Sequence, residues 1–297
     1  MSNRLIYSIS TGRCGTMFLA NLIRANVPQE TAVVHHERVG FLNFGVHTPD
    51  LSHMTTFNTV GNVAHIREFW QRKLAYDQAE TAQVYVEMSH VLAKAGLLEN
   101  INLIDKSRAV DIIVLTRPIE DIVWSFVNHF DFASYAFMWP FTLDPHYPNT
   151  ILKLRPENLH PIRIAHWYVC EMWTRAAYYE QLLRDAPNVR FHRVSLTEVA
   201  DERGADGFIG KLFPDERSRS FVMPPKANET RSPYFPPAVR DEVQRICREI
   251  SADFGGMAAE FIRSGKRLET PEYRSRPDVA SALARYPHGL GRAARGG

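Results

Sequence analysis

The segment Ser10-Thr11-Gly12-Arg13-Cys14-Gly15-Thr16-Met17 packs two glycines, three hydroxyls, a thiol and a guanidinium into one short stretch. It follows a β-rich apolar run and precedes a helical stripe of Phe18, Leu19, Leu22 and Ile23, so it reads as a tight strand-to-helix turn. Backbone amides at such a helix N-terminus attract phosphate-like anions, and glycine lets the anion approach the main chain closely. Arg13 adds positive charge. The nucleotide-triphosphate pattern G-x-x-x-x-G-K-[ST] is not met, because Thr16 stands where the Lys should be, and a phosphatase-type loop would want an Arg where Ala20 stands. Taken alone, the loop also reads as a Gly-rich turn with an incidental Arg. Cys14, beside Arg13 and a helix start, is expected either to carry a lowered thiol pKa or to be a small residue that fits the turn.

A second element supplies context. The run Val114-Leu115-Thr116-Arg117-Pro118 ends a strand, and Ser125 follows Arg117 by eight residues. An Arg at a strand's carboxyl end and a hydroxyl on the next helix can close on one further phosphate. Two anion sites suggest a bisphosphorylated nucleotide.

These residues resemble the sulfotransferase family, enzymes that use 3′-phosphoadenosine 5′-phosphosulfate. Arg13-Cys14-Gly15-Thr16 is similar to that family's 5′-phosphosulfate loop, [KR]-S-G-T-T. Thr116-Arg117-Pro118-Ile119-Glu120-Asp121-Ile122-Val123-Trp124-Ser125-Phe126 is similar to its 3′-phosphate element, R-[DN]-P-x-D-x-x-x-S. The resemblance spans roughly Arg4 to Phe130. Cys14 replaces the usual Ser, Met17 the second Thr, and Pro118 follows Arg117 directly; the C-terminal R-K-G segment of the animal enzymes is not recognisable. The chain thus looks like a divergent bacterial-type member. The resemblance implies a P-loop-like fold and a nucleotide held by Gly12, Arg13, Cys14, Gly15, Thr16, Met17, Arg117 and Ser125. Lys226 and Arg231 are added from Met223 to Arg231, where many relatives place a basic loop over the nucleotide.

Sulfuryl transfer to a hydroxyl or amine by in-line displacement needs a base near the acceptor and positive charge at the departing phosphate oxygen. Arg13 and the loop amides would supply the charge, and no metal is required. Two residues compete as base. Ser89-His90-Val91 resembles the T-H-L of the cytosolic enzymes, with Met88 in place of the family's Lys, and an imidazole titrates in the right range. Glu37, in His35-His36-Glu37, sits where other sulfotransferases place a catalytic glutamate, and its ordinary pKa of about 4.3 would have to be raised. His90 is preferred, with an ordinary structural histidine as the alternative. Glu87 reads as a solvated partner of Lys94 or Lys106.

The elements that must position these groups follow from periodicity. Apolar runs at Leu5 to Ser10, Ala32 to His36, Gln83 to Met88, Asp111 to Thr116 and Val189 to Val194 alternate with helical patterns. This predicts a single α/β domain over 1–262, built on a parallel sheet of about five strands with helices on both faces. Helices are expected at Thr16 to Asn26, from Pro118 as first residue onward, at His166 to Arg184, and at Ala238 to Phe254. Ile119, Ile122, Val123, Phe126, Val127 and Phe130 would form the buried face of the second. Irregular segments at 137–161 and 223–237 read as lids or binding loops. Tyr135, Phe137, Trp139 and Tyr147, with Trp167 and Trp173, either line an acceptor pocket or pack the core.

Composition bounds the rest. The 297 residues are 45% hydrophobic and 23% charged, with a net charge of +2, which excludes a disordered chain and a general polycation. The stretch 263–297 has eight Arg/Lys against three Asp/Glu and reads as a mobile basic tail rather than a nucleic-acid site. Cys14, Cys170 and Cys247 are too scattered for a disulfide framework or zinc site. With no export signal and no clean apolar span, the expectation is a cytoplasmic protein acting on a small-molecule or glycan acceptor. A kinase-type phosphoryl transferase, which would want a loop Lys and a Mg²⁺-holding acid with only Glu87 on offer, and a non-catalytic nucleotide-binding adaptor are the rival readings.

Overall fold

The computed structural model describes residues 4–37, 44–132, 142–154, 160–215, 217–218, 220–225, 234–248 and 253–270. Strands β1 (Arg4–Ile9), β2 (Ala32–His36), β3 (Val84–Met88), β4 (Val110–Thr116) and β5 (Val189–Ser195) form one sheet in the order β2-β3-β1-β4-β5, every pairing parallel. The expected α/β fold class is therefore what the chain adopts, and each strand lies within a residue of its sequence expectation. Interior strands of a parallel sheet are covered on both faces and carry near-continuous apolar runs; Leu5, Ile6, Val86, Ile112 and Ile113 are accordingly fully buried.

Topology decides where a ligand can sit. Parallel strands in register bring all their carboxyl ends to one edge: Tyr7 pairs with Glu87 and Ile112, and His36 with Met88. The chain passes from β1 outward to β2, returns through β3 and then crosses β1 to reach β4, so the loop after β1 opens at the point where strand order reverses. Such a switch point leaves a crevice beyond the strand ends.

Helix α1 (Thr16–Asn26) has the expected bounds and buries Phe18, Leu19, Leu22 and Ile23. Its N-cap, Gly15, has φ 86°, a left-handed turn that favours glycine, and a Cβ there would also push on Leu196 Cδ1 at 2.6 Å. Between β2 and β3 lie α2 (Leu51–Val60) and α3 (Ala64–Gln78), not placed individually from sequence. Helix α4 (Ile119–Asn128) corrects two expectations. Pro118 is its N-cap, with ψ 131°; its carbonyl accepts from the amides of Asp121 and Ile122, while its extended ψ keeps it out of the helix proper. Phe130 is 44% exposed because the chain turns left-handed there, at φ 57°, and swings the ring off the apolar face onto Tyr234 and Phe235.

Helix α5 (Pro161–Leu182) starts five residues before the expected His166, since Pro161 takes the favoured first position. It is buried almost all round and packs against α4, α8 (Pro237–Arg248) and α9 (Phe254–Arg263). The expected single helix from Ala238 to Phe254 is thus wrong: α9 starts afresh with Asp253 capping the Gly256 amide. Short α6 (Leu196–Val199) and α7 (Glu202–Leu212) follow β5. Past residue 262, Leu268 is buried and the Glu269 carbonyl accepts from the Asn62 amide; tail residues 271–297 lie outside the described ones. In the described part of 137–161, residues 142–154 form only turns and bends. They are clamped onto α5 by fully buried Glu171, which accepts from the Ile151 and Leu152 amides and is paired to buried Arg175.

Candidate active site

The loop after β1 is wound tightly. Gly12, Arg13 and Gly15 all have positive φ, at 79°, 56° and 86°, a left-handed series that turns successive amides toward a common side. No side chain caps the start of α1. A helix start without a side-chain acceptor is where an anion would satisfy the first-turn amides. Gly12 is close to its neighbour for a second reason: a Cβ there would touch the His90 ring at 3.4 Å.

Arg13 and Arg117, far apart in sequence, meet at this loop. An Arg117 guanidinium nitrogen donates to the Arg13 carbonyl at 3.3 Å, and Arg117 Nε stands 3.7 Å from Asp121. The Arg13 guanidinium reaches Asp131 at 3.3 Å. Burial raises the Asp131 carboxyl to about 6 against the opposing pull of Arg13 and His129. Ser125 is half-buried on α4. Asp121 also lies 4.0 Å from Arg240 of α8, a further cation at this end of the sheet.

Cys14 corrects one expectation. It is fully buried, 3.0 Å from the Thr11 hydroxyl, and burial pushes its thiol up to about 11 despite hydrogen bonds from Thr11 and the charge of Arg117. Desolvation of the thiolate outweighs the helix start and nearby cations, leaving an inert small residue that fits the turn.

The two rival bases belong to one assembly. Glu37 directly follows β2, with φ 36° and its amide bonded to the Met88 carbonyl at 3.0 Å. A left-handed non-glycine residue held this way stores strain of the kind functional sites tolerate. His90 follows β3 in a turn fixed by reciprocal bonds, in which Ser8 Oγ donates to the Ser89 carbonyl and accepts from the Ser89 amide. His90 Nε2 is then 3.2 Å from Glu37 Oε1, while Nδ1 is 2.9 Å from Lys94 Nζ. Lys94 also donates to the Tyr168 hydroxyl at 2.7 Å, which in turn donates to the Thr11 carbonyl at 2.7 Å. Beside them Thr16 Oγ1 is 3.0 Å from His36 Nε2.

Electrostatics separates the members. Burial, then the charge of Lys94, the neighbouring His36 and Arg13, hold the His90 imidazole well below its usual range. Burial raises Glu37 against the pull of Lys94 and Arg13, and lowers His36 to about 4, helped by Arg24. The result is a carboxylate of enhanced basicity, its side chain 20% exposed, backed by neutral imidazoles.

Other expectations fall elsewhere. Glu87 is not a solvated partner of Lys94 or Lys106: it is fully buried and takes Lys73 Nζ at 2.6 Å and the Tyr85 hydroxyl at 2.7 Å. Trp167 is buried and donates to the Leu152 carbonyl, and Trp173 packs edge-on against Phe254. Tyr147 is half-buried, 3.3 Å from the Thr55 hydroxyl. Lys226, Arg231, Tyr135, Phe137 and Trp139 lie outside the described residues. Sequence reasoning missed Lys94, Tyr168 and Asp131 at the site. Only Lys94, four residues after His90, carried a sequence signal.

No family model matches the sequence, and no curated protein matches it. Among solved structures the chain is similar to one described as "Sulfotransferase Domain from the Curacin Biosynthetic Pathway", at 9% identity and a TM-score of 0.42, over 98% of this chain and 99% of that chain. Among the described residues no helix is long and apolar enough to cross a membrane.

Proposed function

We propose that this protein transfers a sulfuryl group from 3′-phosphoadenosine 5′-phosphosulfate to an acceptor hydroxyl or amine. The observation that carries the reading is the meeting of Arg13 and Arg117 at an uncapped helix start, next to the Glu37–His90 pair. Donor handling and proton acceptance thus share one crevice edge. The loop amides, Arg13 and Thr16 hold the phosphosulfate end; Arg117 and Ser125 hold the 3′-phosphate. The residue motifs that resemble sulfotransferases coincide with these positions.

The acceptor oxygen's lone pair forms the new S–O bond as its proton leaves for the Glu37–His90 pair. The bond from sulfur to the bridging phosphate oxygen breaks, and its electrons stay on adenosine 3′,5′-bisphosphate. Arg13 and the amides offset the charge that develops there.

Calorimetric titration tests this directly. Adenosine 3′,5′-bisphosphate binds without Mg²⁺, and Arg117→Ala weakens it about 10- to 100-fold, the loss expected for a charge-assisted hydrogen bond. The affinity of adenosine 5′-phosphosulfate, which lacks the 3′-phosphate, is unchanged by that substitution. Preference for ATP with Mg²⁺ would establish the phosphoryl-transfer reading instead, and bisphosphate binding without turnover on any acceptor would establish an adaptor.

A further inference from the structure

Lys94 has no place in the donor loop, yet it is completely buried and touches both halves of the site. Its nitrogen carries at least two hydrogens, charged or neutral. It gives one hydrogen to the Tyr168 hydroxyl, and a second lies on the line to His90 Nδ1. An imidazole nitrogen that accepts this N–H offers its lone pair, so the ring proton is left for Nε2, the nitrogen that faces the acceptor oxygen Glu37 Oε1. Both nitrogens of His90 are then committed, and the ring is 4% exposed. Glu37 Oε2 remains for the acceptor's proton.

We propose that Lys94 is a positioning residue that fixes His90 as the Nε2–H tautomer, and that Glu37 rather than His90 takes the acceptor's proton. This rests on the sulfuryl-transfer reading for the identity of the acceptor step, though the tautomer does not. The acceptor O–H bond breaks, its proton forms a bond to Glu37 Oε2, and His90 Nε2–H holds Oε1 throughout. Tyr168 extends the device to the donor side: its hydroxyl accepts from Lys94 and donates to the Thr11 carbonyl beside Gly12. A shift of the anion loop therefore pulls on Lys94 and, through it, on the imidazole. The charged and titratable groups facing His90 are Glu37 and His36 from the end of β2, Lys94 from the turn after β3, and Arg13 from the loop.

The full chain labelled with ¹⁵N-histidine gives the decisive measurement. Long-range ¹H–¹⁵N correlations of His90 should show a neutral ring with its proton on Nε2 from pH 6 to pH 8. A proton on Nδ1, a mixed population or an imidazolium in wild type overturns the proposal. In Lys94→Met the fixed tautomer is lost and the ring gains a proton in that range; an unchanged pattern also overturns it. Should Lys94→Met not fold, Lys94→Gln replaces it, and the wild-type spectrum decides alone. With 3′-phosphoadenosine 5′-phosphosulfate and a panel of hydroxyl acceptors, His90→Gln, which keeps a donor toward Glu37, retains more turnover than Glu37→Gln; the reverse order sinks the assignment of the base. Failure to bind adenosine 3′,5′-bisphosphate would instead remove the sulfuryl-transfer reading, whatever the spectrum shows.

Discussion

Among the described residues two lysines are fully buried, Lys73 before β3 and Lys94 after it, and they behave oppositely. Lys73 of α3 meets Asp77 at 3.1 Å and Glu87 at 2.6 Å, with both carboxylates fully buried. Burial pulls its pKa down, but the two carboxylates outweigh it and leave the ammonium more stable than in water. Lys94 has an imidazole and a phenol for neighbours, and burial with the added push of Arg175 drives it well below its usual range against Glu37. The difference is one of partners, not depth. Lys73, with Tyr7 and Tyr85 donating to the same carboxylates, belongs to a fully buried network that serves the fold. Lys94 leads instead to the partly exposed carboxylate of Glu37 and to the loop after β1, and its poorer compensation is what the proposed proton-handling site would require.

The comparison can be broken first through stability. Lys73→Met leaves Asp77 and Glu87 buried without their cation and should cost about 3–5 kcal/mol, read from urea unfolding. Lys94→Met should cost about 1 kcal/mol, the scale of neutral hydrogen bonds. Equal losses would mean that both lysines are structural. Next in size, Glu37→Gln lowers turnover about 100- to 10,000-fold, the range for a lost general base, and leaves the unfolding midpoint and bisphosphate affinity in place; a collapse of the midpoint would move Glu37 to the structural side. Alkylation sharpens the boundary between the regions. Cys14 should resist iodoacetamide in the folded protein at pH 8 and react once unfolded, whereas rapid labelling of the native loop would contradict its burial.

The smallest effect concerns the Arg13–Asp131 pair. Asp131 titrates near 6 in the folded chain against about 3.9 unfolded. The unfolded state therefore ionises first as pH rises, and the group's contribution to stability falls between pH 4 and pH 6. Asp131→Asn should flatten that slope by about 1 kcal/mol, since the pair is partly open to solvent. A steeper slope in the variant would show that Asp131 is ionised throughout.

The strands and α1 were legible because their signals are local: an apolar run, a glycine pair, a helical stripe. The tight loop after β1 and the place of Arg117 just after β4 were legible for the same reason, each being a short motif at a strand end. What the sequence hid was the pairing across strands. Glu37 and His90 read as rivals because nothing in the chain says that β2 and β3 are neighbours in register; once they are, the two ends meet. Tyr168 had no signal, since a tyrosine in an aromatic helix reads as core packing. The end of α4 and the break before α9 were missed where one left-handed residue or one capping Asp overrides periodicity.

The sheet order has a further consequence for how such a protein changes over generations. The loop proposed to hold the donor rises from β1, flanked on both sides, where any alteration must be accommodated by two neighbours at once. Glu37 sits at the end of β2, an outer strand with a single neighbour. Mutational tolerance should therefore be graded across the sheet, low at the centre and higher toward the β2 margin. A directed-evolution library seeking new acceptors would place its diversity beside that margin and leave the middle strand untouched.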